Sequence, residues 1–400
     1  MKYPSVTVSA IGASYLRGGQ KFMYRNNLIS LSENIQNGDI VRVLTEEGEY
    51  VATGFYSEFS HIVVRVLSRT IEEEIDRDFF RRKIRFAIDY RKSTQREQWD
   101  NCRIIYGEAD GLSGLTCDRY NDILVTQISC SGMEKIKDLI YGILKEELPE
   151  VKYLYERNDI EVRKKEHLPL YKGFYGAVGS AQTVIVENGI KIAVDVENGQ
   201  KTGYFLDQKN NRKLIQELSY NKKVLDCFSH TGGFALNAAK GKAKSVTAVD
   251  VSLTALEQGR KNAEMNGLLD KISFVQADVF DYLKTVERGQ FDLIILDPPA
   301  FTKSRRTVDH AYRGYLEINE DALNALKSGG YLATCSCSRY MENALFEEMI
   351  KEAARNADVT LRQISITQQN SDHPILWNGE NKTEYLKFYL FQIVREGEDA

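Results

Sequence analysis

The sequence predicts a multidomain fold in which a small β-rich module and an α+β domain precede an α/β doubly wound sheet. After Val194, strand-like segments at Lys223 to Cys227, Ser245 to Val249, Ile272 to Gln276, Phe291 to Leu296 and Gly330 to Cys335 alternate with helical ones. Such alternation is the pattern of parallel strands joined by crossover helices. Residues 1 to about 72 instead carry short strands between turn residues, at Ser5 to Val8, Gly38 to Val43, Tyr50 to Tyr56 and Ile62 to Leu67. Residues 73 to 98 place Ile75, Phe79, Phe80, Ile84, Ala87 and Ile88 at helical spacing, which predicts one amphipathic helix. From Arg103 to about Val194, strands such as Ile123 to Ile128 mix with a helix around Met133 to Leu148. The expected division is 1–72, 73–190 and 191–400, although no repeat, low-complexity tract or composition shift marks the joins.

Composition bounds the function classes. With 400 residues, 42% of them hydrophobic, the chain can bury more than one core. No run approaches the roughly 18 apolar residues of a membrane helix, and Met1-Lys2-Tyr3-Pro4 leads into no secretory apolar segment. A cytoplasmic protein without a membrane partner is expected. Cys102, Cys117, Cys130, Cys227, Cys335 and Cys337 show no repeated CxxC spacing, so neither a metal site nor a disulfide framework is predicted. The net charge of -4 offers no global basic footprint for nucleic acid. A local one exists where Arg77, Arg81, Arg82, Lys83, Arg85, Arg91, Lys92 and Arg96 face only Asp78 and Asp89, read equally well as a solvated helix face or as an RNA contact.

The chemistry concentrates at strand ends. Val224 to Cys227 runs into Phe228-Ser229-His230-Thr231-Gly232-Gly233 before a helix from about Ala235, and in a doubly wound sheet this is the ligand-binding end. The glycines let backbone approach a ligand, but the phosphate-cradling GxGxxG and GxxxxGK[ST] patterns are missing, and His230 reads as a polar turn residue. The next strand ends at Asp250, a carboxylate able to accept from both hydroxyls of an adenosine ribose, a device that a dinucleotide enzyme shares. The third ends at Asp278, an acceptor for an adenine amino group beside an apolar surface, and the fourth at Asp297-Pro298-Pro299-Ala300-Phe301. One strand-end Asp usually caps a helix; its repetition on successive strands points to a site.

This series resembles the class I S-adenosylmethionine-dependent methyltransferases. The resemblance narrows with Glu197-Asn198-Gly199-Gln200-Lys201-Thr202-Gly203-Tyr204-Phe205-Leu206-Asp207-Gln208, Asn211-Arg212 and Ser336-Cys337-Ser338. Together with Gly111-Leu112-Ser113-Gly114-Leu115-Thr116-Cys117-Asp118-Arg119-Tyr120 and Asp372-His373-Pro374, these are similar to the large-subunit (23S) ribosomal RNA methyltransferases, over essentially the whole chain. That family implies an N-terminal PUA-like β-barrel that binds RNA, a middle α+β domain and a C-terminal Rossmann-like class I methyltransferase domain. It also implies S-adenosyl-L-methionine as cofactor and ribosomal RNA as partner. By the same resemblance Lys201, Thr202, Gly203 and Phe205 line the methionine end of the cofactor, and Asp226, Phe228 and Gly232 its main body. Asp250 takes the ribose, Asp278 the adenine, and Asp297 faces the transferring methyl group. Without the other motifs, residues 201–206 would read as a turn and short strand.

What else is needed depends on the acceptor atom. Cytosine C5 becomes nucleophilic only after a thiolate adds at C6. The family pattern places that nucleophile at Cys337, with Asp297 accepting from the cytosine amino group and Pro298 and Pro299 stiffening the loop. Cys335 is expected to pack. Some relatives carry a lysine after the two prolines, whereas this chain has Ala300 and reaches a lysine only at Lys303. A guanine-N7 methyltransferase, in which Cys337 is structural, is therefore the alternative, and a noncatalytic RNA-binding assembly factor on the same fold is another. An NAD-dependent oxidoreductase is disfavoured by the missing glycine fingerprint. Leu16-Arg17-Gly18-Gly19-Gln20-Lys21 and the group Lys303, Arg305 and Arg306 are candidates for phosphate contact. A homodimer fits the reading, though no residue pattern demonstrates it.

Overall fold

The computed structural model describes residues 3–71, 73–302, 304–377 and 383–397. The chain forms two compact units, Met1–Ile185 with Val194–Leu206 and Ser371–Thr383, and Val186–Ala193 with Asp207–Asn370 and Glu384–Ala400.

In the first unit, β1 (Ser5–Val8) alternates half-buried and buried residues, and α1 (Ala10–Arg17) follows, capped by Ser9 and burying Ala13 and Leu16. The strands β2 (Phe22–Tyr24), β3 (Leu28–Leu31), β4 (Ile40–Leu44), β5 (Tyr50–Tyr56) and β6 (Ile62–Ser68) complete a sheet of order β2-β6-β5-β4-β1-β3. Only β1 and β4 pair in parallel. Asp76 caps α2 (Arg77–Thr94) through the Phe79 amide, so the helix begins later than its apolar pattern suggested. Next come β7 (Asn101–Tyr106), β8 (Leu115–Tyr120), β9 (Ile123–Ile128), α3 (Ser131–Lys135), α4 (Lys137–Glu147), β10 (Tyr153–Asn158) and β11 (Tyr171–Phe174), a five-stranded sheet of order β11-β10-β9-β8-β7 with helices against it. The single helix expected around Met133 to Leu148 is broken at Ile136. One core joins Phe55 and Leu67 of the first sheet to Phe79, Phe80 and Ile84 of α2 and to Ile104 and Leu124 of the second sheet.

The basic face of α2 is largely neutralised within its own unit. Arg77 and Arg81 reach Glu146, Arg81 and Arg85 reach Glu147, and Arg82 reaches Glu73. Arg91 is fully buried on Asp110. Of the two readings of this face, the solvated, ion-paired helix is the one these contacts support. The turn after α1 behaves alike: Arg17 pairs with Glu49, and burial, then Arg69, holds the Lys21 ammonium below its usual range.

A two-stranded sheet of β12 (Gln182–Glu187) and β13 (Ile190–Asp195) precedes α5 (Lys209–Leu218). The second unit then alternates β14 (Lys223–Cys227), α6 (Gly233–Lys240), β15 (Ser245–Asp250), α7 (Leu253–Met265), β16 (Ile272–Gln276), α8 (Val279–Leu283), β17 (Leu293–Leu296), α9 (Val308–Ala325), β18 (Tyr331–Ser336) and α10 (Asn343–Asn356). It closes with β19 (Thr360–Thr367) and β20 (Lys387–Val394), for a sheet of order β16-β15-β14-β17-β18-β20-β19. The strands from β16 to β18 are parallel, and β20 lies antiparallel between β18 and β19. Strand order reverses between β14 and β17, which opens a crevice at their carboxyl ends.

Candidate active site

Every strand-end carboxylate of the second unit lies on the crevice side of the sheet, but each is held differently. Asp226, the penultimate residue of β14, is buried; its Oδ2 accepts from Ser229 Oγ at 2.6 Å and from the Ala235 amide at 2.9 Å. Its Oδ1 is buried without a hydrogen-bond partner. Burial pushes this carboxyl up to about 7, opposed by the Ser229 and Ala235 hydrogen bonds and reinforced by the charges of Asp297 and Asp250. The loop after β14 turns through left-handed backbone at Phe228, His230 and Gly232 (φ 60°, 52° and 81°). Such a path keeps the loop tight above the strand end.

Asp250 ends β15, with Oδ2 accepting from the His230 amide and Oδ1 from the Ser252 amide, both at 2.8 Å. A carboxylate has about four acceptor positions, so lone pairs remain for two further donors. Asp278 is exposed and caps α8 through the Phe280 amide at 2.8 Å, which is the commoner role of a strand-end Asp. His230 contributes its backbone to this network, and burial lowers its imidazole below the usual value against the pull of Asp250.

Asp297 follows β17 and is set by a relay that the sequence did not reveal. Thr367 Oγ1 donates to Asn211 Oδ1 at 2.6 Å, Asn211 Nδ2 donates to Gln208 Oε1 at 2.6 Å, and Gln208 Nε2 donates to Asp297 Oδ1 at 2.9 Å. The chain fixes both amide orientations and aims the carboxylate. Gln208 and Asn211 belonged to the quoted motif, but nothing in their spacing tied them to Asp297. Beside them, Arg212 grips Glu187 through two hydrogen bonds of 2.6 and 2.8 Å, both side chains buried.

Cys337 lies one residue beyond β18, half-buried, with Sγ 4.0 Å from the Pro298 carbonyl oxygen. Ser338 Oγ donates to the Thr302 carbonyl at 2.9 Å and so fastens the Ser-Cys-Ser segment to the Asp-Pro-Pro-Ala-Phe loop. Ser336 Oγ donates to Tyr315 OH at 3.1 Å on the other side. Cys335 is fully buried, and burial, then Asp297, raises its thiol well above the usual value; it packs as a neutral thiol. Phe301 meets Phe228, Phe280 and Tyr315 with ring centroids 6.3, 5.9 and 4.6 Å apart, an aromatic wall beside Asp297. Arg305 and Arg306 are exposed on a short turn before α9, and Lys303 lies outside the described residues.

Lys201, Thr202, Gly203 and Phe205 belong to the first unit. The Thr202 hydroxyl is buried, donates to Asp118 at 2.5 Å and lies 2.9 Å from Tyr120 OH, so its side chain is committed to the middle domain. Lys201 places its ammonium 4.4 Å from the centre of the Phe205 ring. Gly203 sits at φ 137°, where a Cβ would come within 2.8 Å of Val194 Cγ1. That close approach requires glycine.

Residues 178–369 match an S-adenosylmethionine-dependent methyltransferase family model and residues 6–69 a PUA-like domain model. The chain is 41% identical over 372 residues to ribosomal RNA large subunit methyltransferase I of Aeromonas salmonicida, covering 90% of this chain and 94% of that one. It is 40% identical to the protein of the same name from Aliivibrio fischeri, over 95% and 96% of the two chains. Among solved structures, the methyltransferase SMU.776 complexed with SAH superposes with a TM-score of 0.83 at 23% identity, over 97% of this chain and 99% of that one. A SAM-dependent methyltransferase from Streptococcus mutans gives 0.81 over the same shares, also at 23% identity. At that identity the likeness bears on fold alone. The sequence identity along nearly the full length of both chains is what decides the assignment: the protein belongs to the ribosomal RNA large subunit methyltransferase I family, S-adenosylmethionine-dependent enzymes in which a PUA-like domain precedes the methyltransferase domain.

Proposed function

We propose that the chain methylates carbon 5 of a cytosine in large-subunit ribosomal RNA, with Cys337 as covalent nucleophile and Asp297 as the acceptor for the cytosine amino group. The observation that carries this reading is the half-buried Cys337 thiol beside the Asp297-Pro298 loop, while Cys102, Cys117, Cys130, Cys227 and Cys335 are all buried.

The crevice fits S-adenosylmethionine. The cofactor carries a sulfonium and an ammonium, and the crevice offers several carboxylates, one with a buried oxygen that lacks a hydrogen-bond partner. Asp226, Phe228 and Gly232 would hold its main body, Asp250 the ribose and Asp278 the adenine. The family resemblance gives the methionine end to Lys201, Thr202, Gly203 and Phe205; within their own unit the Thr202 hydroxyl is already committed to Asp118. When bound, the cofactor supplies an electrophilic methyl group.

The protein's own residues activate and place the acceptor. The Cys337 thiolate adds to C6 and moves electron density to C5; once C5 is substituted, a base such as solvent water takes the C5 proton, the C5–H electrons restore the C5–C6 double bond, and the C6–S pair returns to sulfur, which frees the thiolate. Asp297, aimed by Gln208, fixes the base by its amino group, and the Phe228, Phe280 and Phe301 wall excludes water. The N-terminal module, residues 1–72, and the middle domain, 73–190, would present the RNA to the catalytic domain, 191–400, with Arg305 and Arg306 on the flanking phosphates.

The test is methyl transfer to protein-free large-subunit ribosomal RNA followed by nucleoside mass spectrometry, with wild type and Cys337→Ala. 5-Methylcytidine from wild type and none from the variant is expected. 7-Methylguanosine from both proteins would overturn the reading in favour of guanine N7, and no product from either would overturn catalysis on this RNA.

A further inference from the structure

Lys387 opens β20, a strand whose remaining residues are mostly apolar, and the residue is only 4% exposed. Removing an ammonium from water is costly, so a lysine in that position needs compensating partners. Its Nζ donates to the carbonyls of Ser338 at 2.6 Å and Tyr385 at 3.1 Å. Neither acceptor is charged. The register pairs the Lys387 backbone with Ser336, and its ammonium binds the Ser338 carbonyl, so the residue meets the segment on either side of Cys337, by its main chain before it and by its side chain after it.

We propose that Lys387 is a positioning residue for the nucleophile: a buried cation, clamped to the carbonyl next to Cys337, that favours the thiolate over the thiol. This rests on the reading of Cys337 as nucleophile. Among the described residues, the titratable groups that bear on the pair are the following. Glu384 precedes β20 and is itself held by the Gln368 and Asn343 side-chain amides at 2.6 and 2.7 Å. Glu342 lies at the start of α10, Asp297 after β17, Cys335 on β18 and Tyr315 on α9. Asp297 and the two glutamates oppose a thiolate, whereas Cys335 and Tyr315, both raised by burial, stay neutral. Lys387 is the cation in this set. Burial lowers it to about 8, offset by Glu384, Cys337 and Glu342, which leaves it charged at neutral pH. A neighbouring cation is a general means of activating a cysteine.

The test reads the thiolate directly. Iodoacetamide alkylation of Cys337 in the full-length protein, quantified on its peptide by mass spectrometry across pH, is compared for wild type, Lys387→Met and Lys387→Arg. At neutral pH the Met variant should alkylate about tenfold more slowly and recover at alkaline pH, the signature of a titration moved by about one pH unit, while the Arg variant stays near wild type. Equal rates for the Met variant and wild type across pH would overturn the proposal. Should the Met variant fail to fold, wild type alone decides: a Cys337 titration midpoint at or above the ordinary thiol value of about 8.5 would equally overturn it. If the nucleoside analysis instead returns 7-methylguanosine, the covalent role of Cys337 fails while the alkylation result still reports on Lys387.

Discussion

Asp226→Asn should alter how the stability of the second unit depends on pH. The wild-type carboxyl rises from 3.8 to about 7 on folding, first because burial disfavours its charged form. Between those values the folded protein holds a proton that the unfolded chain has released. The stabilisation is therefore complete at low pH and is lost as pH rises through about 7. Asparagine has no such proton. Its amide oxygen can take the place of Oδ2 and keep the bonds from Ser229 and Ala235, so the geometry of the turn survives. At about 1.4 kcal/mol per pH unit, the interval of about three units makes the variant gain about 4 kcal/mol on wild type between about pH 4 and about pH 8. Urea unfolding followed by circular dichroism without ligand, for both proteins at several pH values, gives this difference directly and cancels every other titrating group. A difference that stays constant over the range would refute the argument that Asp226 is a buried, protonated acid.

Arg212→Met removes both charge-assisted hydrogen bonds that Arg212 donates to the buried Glu187 carboxylate, and should cost about 3–5 kcal/mol in urea unfolding, whereas Arg212→Met with Glu187→Met should recover most of it; a single-variant loss below about 1 kcal/mol would show the pair to be water-accessible. Arg305→Ala with Arg306→Ala should lower the slope of log affinity against log salt for single-stranded ribosomal RNA fragments by up to about 1.4, two contacts at about 0.7 each. Arg81→Ala with Arg85→Ala should leave that slope unchanged, because those charges are matched by Glu146 and Glu147; the reverse ranking would return the RNA contact to α2.

The doubly wound sheet was legible because its buried parallel strands read as short apolar runs, each ending in a polar loop residue, and β14 and β16 begin and end where those runs do. The antiparallel pair β19–β20 was not. β19 is an edge strand whose residues are mostly exposed, so it lacks an apolar face, and among the described residues no helix separates it from β20. The helix α1 was hidden by its length, since eight residues give barely two turns of periodicity. At the site, the sequence named Asp297 and Cys337 but not the groups that aim them. Gln208, itself held by Asn211, reaches Asp297 by folding of distant segments, and no local pattern encodes that contact. Lys387 did leave a signal, a lone cation opening an apolar run, which marks either a strand start or a buried charge.

A strand-end aspartate as helix cap and a strand-end aspartate as ligand group are usually weighed as alternatives. Asp250 shows why they need not compete. Its two oxygens accept the His230 and Ser252 amides, which leaves a carboxylate rigidly aimed with lone pairs to spare. Asp278 does the same with the Phe280 amide. A carboxylate tethered in this way loses little freedom when a hydroxyl or amino group arrives, so the cap lowers the entropic cost of binding. Asp226 differs, since both of its donors fall on Oδ2 and Oδ1 is left buried without one. The free protein then holds one neutralised, under-bonded acid at the strand beside the switch point. A cationic group brought close to Asp226 would make its charged form favourable, because it opposes the burial that holds the proton on.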